Sequence, residues 1–322
     1  MNQNFGILGL KEGESYLSNV LVLGASGMLG KMCSLVLDEV ENLNLIGTYN
    51  NQASSILLKN QQINLYKFNV IGDDVAGLLD KVSPDYVINC IGKIKPTIDE
   101  KIAESISQAN KVNSSFPKEL EVCAQQKGIK LIQIGTDCVF LGDKGPYTIN
   151  DEYDADDVYG QTKAKGELDS GTKMLVRTSI VGPEIKPGIS LLNWFLELDQ
   201  SSDISGFENH MWNGITTLAF ANIIKGLIEN NHYKAKVVHL TPKDIVSKYE
   251  LLLLFKNNFN REDIKVKRID SDTAINRTLL SESLEENKKI WKIAGYDNVP
   301  TISELIKELS KSVYTKMILE SS

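Results

Sequence analysis

The chain has 322 residues, of which 42% are hydrophobic and 24% charged, with a net charge of −7; that is enough for one large or two closely joined globular domains. The acidic balance argues against nucleic acid or an anionic membrane as partner, but leaves room for a phosphorylated ligand held by local donors. No run approaches the roughly 18 apolar residues of a membrane span, and no basic-then-apolar leader is seen, so a cytoplasmic location is expected.

Cys33, Cys90, Cys123 and Cys138 form no CxxC pair, and His210, His232 and His239 lie far from them in sequence. Reduced thiols and no metal site are therefore expected. The only arginines are Arg177, Arg261, Arg268 and Arg277, so the first 176 residues carry no guanidinium.

Residues 1–18 read as an arm. Short apolar runs then alternate with helix-length segments: strands at Val20–Leu23, Leu43–Thr48, Ile63–Phe68, Tyr86–Cys90, Lys130–Ile134 and Met174–Arg177, and helices at Met28–Val40, Val75–Lys81, Lys101–Lys111, Pro117–Gln126 and Val158–Leu168. Near-continuous apolar strands separated by helices predict a doubly wound parallel sheet of Rossmann type, covered on both faces, with ligands at the carboxyl ends of the strands. From about residue 182 the rhythm changes. Helices at Leu191–Leu198, Thr217–Glu229 and Ile245–Lys256 mix with strands at Val237–Leu240 and Ile264–Ile269, and a last helix opens at Thr301 with Glu304 as a capping box. The expected division is a dinucleotide-binding domain over 1–181 and a smaller C-terminal α/β substrate domain over 182–322. A return to the first domain around 214–240 is left open.

Directly after the first strand stands Gly24-Ala25-Ser26-Gly27-Met28-Leu29-Gly30, opening a helix. A tight turn needs residues without a Cβ, and a pyrophosphate needs close backbone approach to the positive end of a helix. The strand–loop–helix setting makes this a dinucleotide site rather than a plain glycine turn. The second strand ends at Thr48-Tyr49-Asn50-Asn51, with no carboxylate to repel a 2′-phosphate and Lys31 as the nearby cation, so NADP(H) is favoured over NAD(H).

The reactive constellation is Thr136 near a strand end with Tyr159 and Lys163 four residues apart on the next helix, hence on one face. A carbonyl reductase needs a proton donor at the developing alkoxide. A neighbouring ammonium would lower the phenol's pKa from about 10 toward neutrality. Alone, a Tyr–x–x–x–Lys pair is a solvated helix face; the upstream phosphate loop gives it meaning.

With these residues in hand, the chain resembles the extended short-chain dehydrogenase/reductases, and within them the dTDP-4-dehydrorhamnose reductase-like group. The likeness also runs through Val87–Gly92, Lys111–Asn113, Gly135–Phe140, Gly145–Tyr147, Tyr159–Glu167, Val176–Ser179 and Gly214–Thr217. It covers about residues 20–230. It implies NAD(P)H-dependent reduction of the 4-keto group of a nucleotide-activated 6-deoxysugar, in deoxysugar or surface polysaccharide precursor synthesis, and a homodimer. It implies cofactor contacts at Asn50, at Asn69-Val70, at Cys90-Ile91-Gly92, at Asn113, and at Tyr159 and Lys163. Substrate contacts are implied at Lys93, Asp137, Cys138, Val139, Phe140, Arg177 and Ser179.

Cys138 stands where the rhamnose-pathway reductases usually carry tyrosine, and resembles the cysteine of GDP-4-keto-6-deoxymannose epimerase/reductases. Cys138 and Glu184, after Gly182-Pro183, are thus a candidate acid/base pair for epimerisation, with apolar packing as the plain alternative for the cysteine. A 4,6-dehydratase is disfavoured because Asp137 is followed by cysteine rather than glutamate. A non-catalytic cofactor-binding subunit, as in the regulatory subunit of methionine adenosyltransferase, shares the fold; the joint presence of Thr136, Tyr159 and Lys163 favours an enzyme.

Overall fold

In a computed structural model that describes residues 17–51, 63–167, 171–185 and 190–321, seven parallel strands form the central sheet. They are β1 (Ser18–Leu23), β2 (Leu43–Tyr49), β3 (Asn64–Lys67), β4 (Tyr86–Asn89), β5 (Lys130–Gly135), β6 (Met174–Arg177) and β7 (Val237–His239). The order across the sheet is β7-β6-β5-β4-β1-β2-β3. Chain direction across the sheet therefore reverses between β1 and β4, which leaves a crevice at their carboxyl ends. The arm over 1–18 lies almost wholly outside the described residues.

Both faces of the sheet are covered, and β1 shows why. Val20 and Val22 pack with Met32, Val36, Phe220 and Ile224 on one side. Leu21 and Leu23 pack with Leu78, Leu79, Phe116 and Leu120 on the other. A period of two thus splits one apolar strand between two cores. The first face carries α1 (Met28–Leu37). The second carries α2 (Val75–Val82) and the run α3 (Ala103–Asn110) to α4 (Phe116–Lys127). The sequence pattern leaves a break between α3 and α4; instead a π-helical turn, Lys111–Ser115, joins them. Such a turn is a common way to aim a functional side chain.

Helix α5 (Val158–Glu167) precedes β6. Beyond it come α6 (Leu191–Leu196), α7 (Thr217–Glu229), α8 (Lys248–Asn258), α9 (Leu284–Ile293), α10 (Ile302–Lys311) and α11 (Val313–Leu319). Helix α7 and strand β7 belong to the first layer: Val238 pairs with Val176 of β6, and α7 buries Phe220, Ile223 and Ile224 in the same core as α1. That core continues into Phe195, Phe255 and Leu309, so the C-terminal part shares one apolar body with the sheet. Helix α8 starts three residues later than the pattern over 245–256 suggests. Val246–Ser247 is occupied pairing with Met211–Trp212, and Ser247 with Glu250 forms the capping box that begins the helix.

Candidate active site

The phosphate loop is a built turn. Gly24 has φ +77°, and a Cβ there would meet Ile91. Its N–H donates to Thr48 Oγ1 at 2.9 Å, and Ala25 N–H donates to the Thr48 carbonyl. A Cβ at Gly30 would fall 2.1 Å from the Gly24 carbonyl. Gly27 differs: it is exposed at the head of α1, and a Cβ would meet only the Gly24 carbonyl at 3.4 Å, ordinary contact. The protein itself therefore demands glycine at 24 and 30, whereas at 27 only an incoming ligand would. Ser26 and Met28 flank this opening half-buried, while Leu29 turns into the core.

Around the crevice, Asn50 is exposed after β2 and Asn69 is exposed after β3, its Oδ1 accepting from Ile71 N–H; Val70 packs into the second core. Cys90 N–H donates to the Leu23 carbonyl, tying the end of β4 to β1. Burial beside Cys90 pushes the Cys33 thiol on α1 well up, and all four thiols are free of disulfides. Asn113 on the π-helical turn accepts from Lys93 N–H and donates to the Lys93 carbonyl, both at 2.9 Å, and its Nδ2 lies 3.2 Å from Thr162 Oγ1. Its amide is filled by the protein. It locks the Cys90–Lys93 loop to α5 rather than offering itself to a ligand. Lys31 is not an outward cation: it is buried on α1, and burial lowers its pKa against the pull of Asp38.

The structure brings Thr136, Tyr159 and Lys163 together. Thr136 caps a tight 3-10 turn at Asp137–Val139, accepting from Cys138 N–H at 3.2 Å and donating to Asp137 Oδ1 at 3.3 Å. Burial raises the Tyr159 pKa, helped by Cys138 and opposed by the Thr136 hydroxyl, so the phenol holds its proton at neutral pH. Lys163 sits one turn on. Its ammonium donates to the Ile134 carbonyl at 3.0 Å and lies 3.9 Å from Glu167 Oε1. The largest influences on the phenol are burial and Cys138, which raise its pKa, and Lys163 is not among the leading ones.

Beneath these residues lies a buried polar network that linear reading missed. Glu167 accepts from Thr136 N–H at 2.9 Å and from Arg177 Nε at 3.1 Å. Arg177 also contacts His239 Nε2 at 2.7 Å and donates to the Tyr153 hydroxyl, with its guanidinium over the Tyr153 and Phe140 rings. Burial pushes the Glu167 carboxyl up, against the pull of Arg177 and Lys163. Burial beside Arg177 lowers the His239 imidazole to about 3. Spacing held a clue to Glu167, since 159, 163 and 167 fall on one helix face; nothing local pointed to His239 or Tyr153.

Three expected substrate contacts, Arg177, Val139 and Phe140, are thereby corrected. Arg177 is wholly buried and bonded on all three nitrogens to protein groups, so it supports the site and does not face a ligand. Val139 and Phe140 are wholly buried too; Phe140 stacks on Tyr147 at 4.2 Å. The Ser179 hydroxyl accepts from Trp212 Nε1 at 2.9 Å. Lys93 reaches Gln108 at 3.4 Å. Asp137 and Cys138 remain beside Thr136, with the thiol 3.7 Å from Asp137 Oδ1.

The epimerisation pair loses its geometric basis. Cys138 is on a 3-10 turn, not on an extended strand that would aim it as Thr136 is aimed, and burial beside Asp137 pushes its thiol up to about 12. Glu184 is buried and accepts from Ser190 N–H at 2.6 Å, while Asn193 holds its backbone from both sides. It organises the entry to α6.

Comparison with known proteins matches residues 18–279 to the family model described as RmlD substrate binding domain. A methionine adenosyltransferase 2 subunit beta of Danio rerio is 25% identical over 260 residues, 75% of this chain and 74% of that protein. A dTDP-4-keto-6-deoxy-D-glucose reductase of Streptomyces niveus is 25% identical over 231 residues, 69% of this chain and 77% of that protein. A dTDP-4-dehydrorhamnose reductase of Bacillus anthracis, solved in complex with NADP, superposes with a TM-score of 0.67 at 19% identity, covering 91% of this chain and 98% of that one.

Proposed function

The chain belongs to the RmlD substrate binding domain family, and from that premise we propose that it uses a nicotinamide dinucleotide to reduce the keto group of a nucleotide-activated sugar. The carrying observation is the meeting of Thr136, at the carboxyl end of β5, with Tyr159 and Lys163 of α5, the Lys163 ammonium donating to the Ile134 carbonyl at 3.0 Å, together with an open Gly27 at the head of α1. The cradle at Gly24–Gly30, the loop Cys90–Gly92 and Lys163 would hold the cofactor, which supplies the hydride. Asn50, Asn69 and Val70 stand where its adenosine half would extend.

Thr136 orients the substrate carbonyl by hydrogen bonding. Tyr159, protonated at neutral pH, delivers its proton to the oxygen as the alkoxide develops. Glu167 fixes the Thr136 backbone, so the donor pair meets the carbonyl preorganised. NADP(H) over NAD(H) remains our preference on the missing acidic residue after β2, now without Lys31 as support. 4-Keto-6-deoxyhexoses linked to dTDP, UDP or GDP are the first substrates to offer.

The experiment is oxidation of NADPH and NADH against that panel, with products assigned by NMR. The likeness to subunit beta of methionine adenosyltransferase 2 favours a second reading, a cofactor-binding subunit without turnover. Tight dinucleotide binding with no turnover on any panel member would select it.

A further inference from the structure

The segment that leaves β4 is tied to the helix that carries Tyr159. Residues 93–102 follow the loop Cys90–Gly92 and run to the start of α3. The run is braced internally. Pro96 lies in a 3-10 turn at Lys95–Thr97, Thr97 Oγ1 donates to the Ile94 carbonyl at 2.8 Å, and Lys101 N–H donates to Asp99 Oδ1 at 2.9 Å. Two side chains cross from it to α5. The Lys95 ammonium lies 2.7 Å from Asp157 Oδ2, and Glu100 Oε1 accepts from Val158 N–H at 3.0 Å. Asp157 and Val158 are the two residues before Tyr159.

Asp157 uses its other oxygen to cap the helix. Its Oδ1 accepts from Gly160 N–H at 2.7 Å, satisfying an amide that has no partner within the helix. The same first turn is pressed against the turn after Thr136, since a Cβ at Gly160 would fall 2.3 Å from the Cys138 carbonyl. Tyr159 therefore stands between a cap and a close backbone contact, and Lys95 holds the cap carboxylate. As a stabilising element this ion pair is weak: the Lys95 side chain is 63% exposed, and exposed pairs contribute little. Its placement matters more than its strength, because a shift of the cap moves the phenol relative to Thr136.

We propose that Asp157 is a positioning residue for Tyr159, and that Lys95, with Glu100 on the neighbouring amide, sets the orientation of that cap. The proposal rests on the reading of Tyr159 as proton donor and deepens it. In this role Lys95 and Asp157 touch neither substrate nor cofactor; they fix where the donor stands. The loop after β4 and the catalytic helix then move as one body, with Asn113 joining the Lys93 backbone to Thr162 a turn further along α5.

The first test needs no substrate. Protein made with 3-fluorotyrosine carries 11 labelled rings, and loss of a line in Tyr159→Phe assigns Tyr159 by fluorine NMR. That line should shift or broaden in Lys95→Met and in Asp157→Ala and hold in Lys95→Arg, while the melting temperature of Lys95→Met stays at the wild-type value. The second test is turnover of dTDP-4-keto-6-deoxyglucose with NADPH. Lys95→Met should lower kcat about tenfold at unchanged KM, and Lys95→Arg should recover most of the loss. In a Tyr159→Phe background Lys95→Met should cost less than about twofold, because its effect passes through the phenol. An unmoved Tyr159 line in Lys95→Met overturns the proposal. So does a raised KM at unchanged kcat, which would mark a ligand contact, and so does a full tenfold loss that persists in Tyr159→Phe. If Asp157→Ala does not fold, Lys95→Met and Asp157→Asn decide it. If the sugar is not turned over, the fluorine line decides the positioning by itself, and the reduction reading alone falls when that line moves as expected.

Discussion

Glu167 and Arg177 close a buried ion pair at 3.1 Å, and the second oxygen of the same carboxylate holds the Thr136 backbone. The residue proposed to meet the substrate carbonyl is thus anchored to a buried charge pair. Removing one partner of a buried pair typically costs about 3–5 kcal/mol, because the other charge is stranded. Glu167→Gln should lower stability by that order, read as a shifted urea midpoint. An unchanged midpoint would show that the pair is not holding the strand end.

Tyr159→Phe removes the proton donor while leaving the ring. Turnover should fall by at least about a hundredfold, the scale of a positioned acid, with dinucleotide affinity little changed. Near-normal turnover in this variant would sink the mechanism.

The three loop glycines should separate by cause. Gly30→Ala forces a Cβ onto the Gly24 carbonyl, so it should unfold at lower temperature. Gly27→Ala has room in the protein and should keep its melting temperature while losing dinucleotide affinity. Calorimetry and thermal unfolding on both variants check the pair; equal cofactor binding by Gly27→Ala and wild type would remove the loop from the site.

His239 makes stability depend on acid. Its folded value of about 3 lies below the ordinary 6.5, so between those limits the unfolded chain binds the extra proton and stability rises with pH. The contribution is complete above pH 6.5 and is lost as pH falls through the window toward 3. Between pH 7.5 and 5 the loss should be about 2 kcal/mol. Urea unfolding of wild type against His239→Gln measures it, and identical pH slopes would refute the assignment.

Cys138, with a thiol pushed up to about 12, should stay protonated and exchange no substrate proton. Incubating a 4-keto substrate with oxidised cofactor in deuterated water should leave C3 and C5 unlabelled. Labelling in wild type that disappears in Cys138→Ser would restore epimerisation.

The sheet was legible along the chain. Apolar runs of strand length, the Gly24–Gly30 turn and the 159–163 spacing are local patterns, and each follows from backbone sterics or helical period. They were enough for a parallel doubly wound sheet and for the trio Thr136, Tyr159 and Lys163. What fills the space around that trio was decided only by folding. Arg177 looks like a ligand contact in sequence because the resemblance implies one there. The sheet places it under Gly135, with Glu167 at 3.1 Å and His239, 62 residues away in the chain, at 2.7 Å, and there it is a buried support. Arg277 carries no motif, yet the segment after Ile275–Asn276 brings its Nε to the Phe140 carbonyl at 2.7 Å. A charge's role depends on what desolvates and pairs it, and those neighbours come from elements that sequence spacing does not relate.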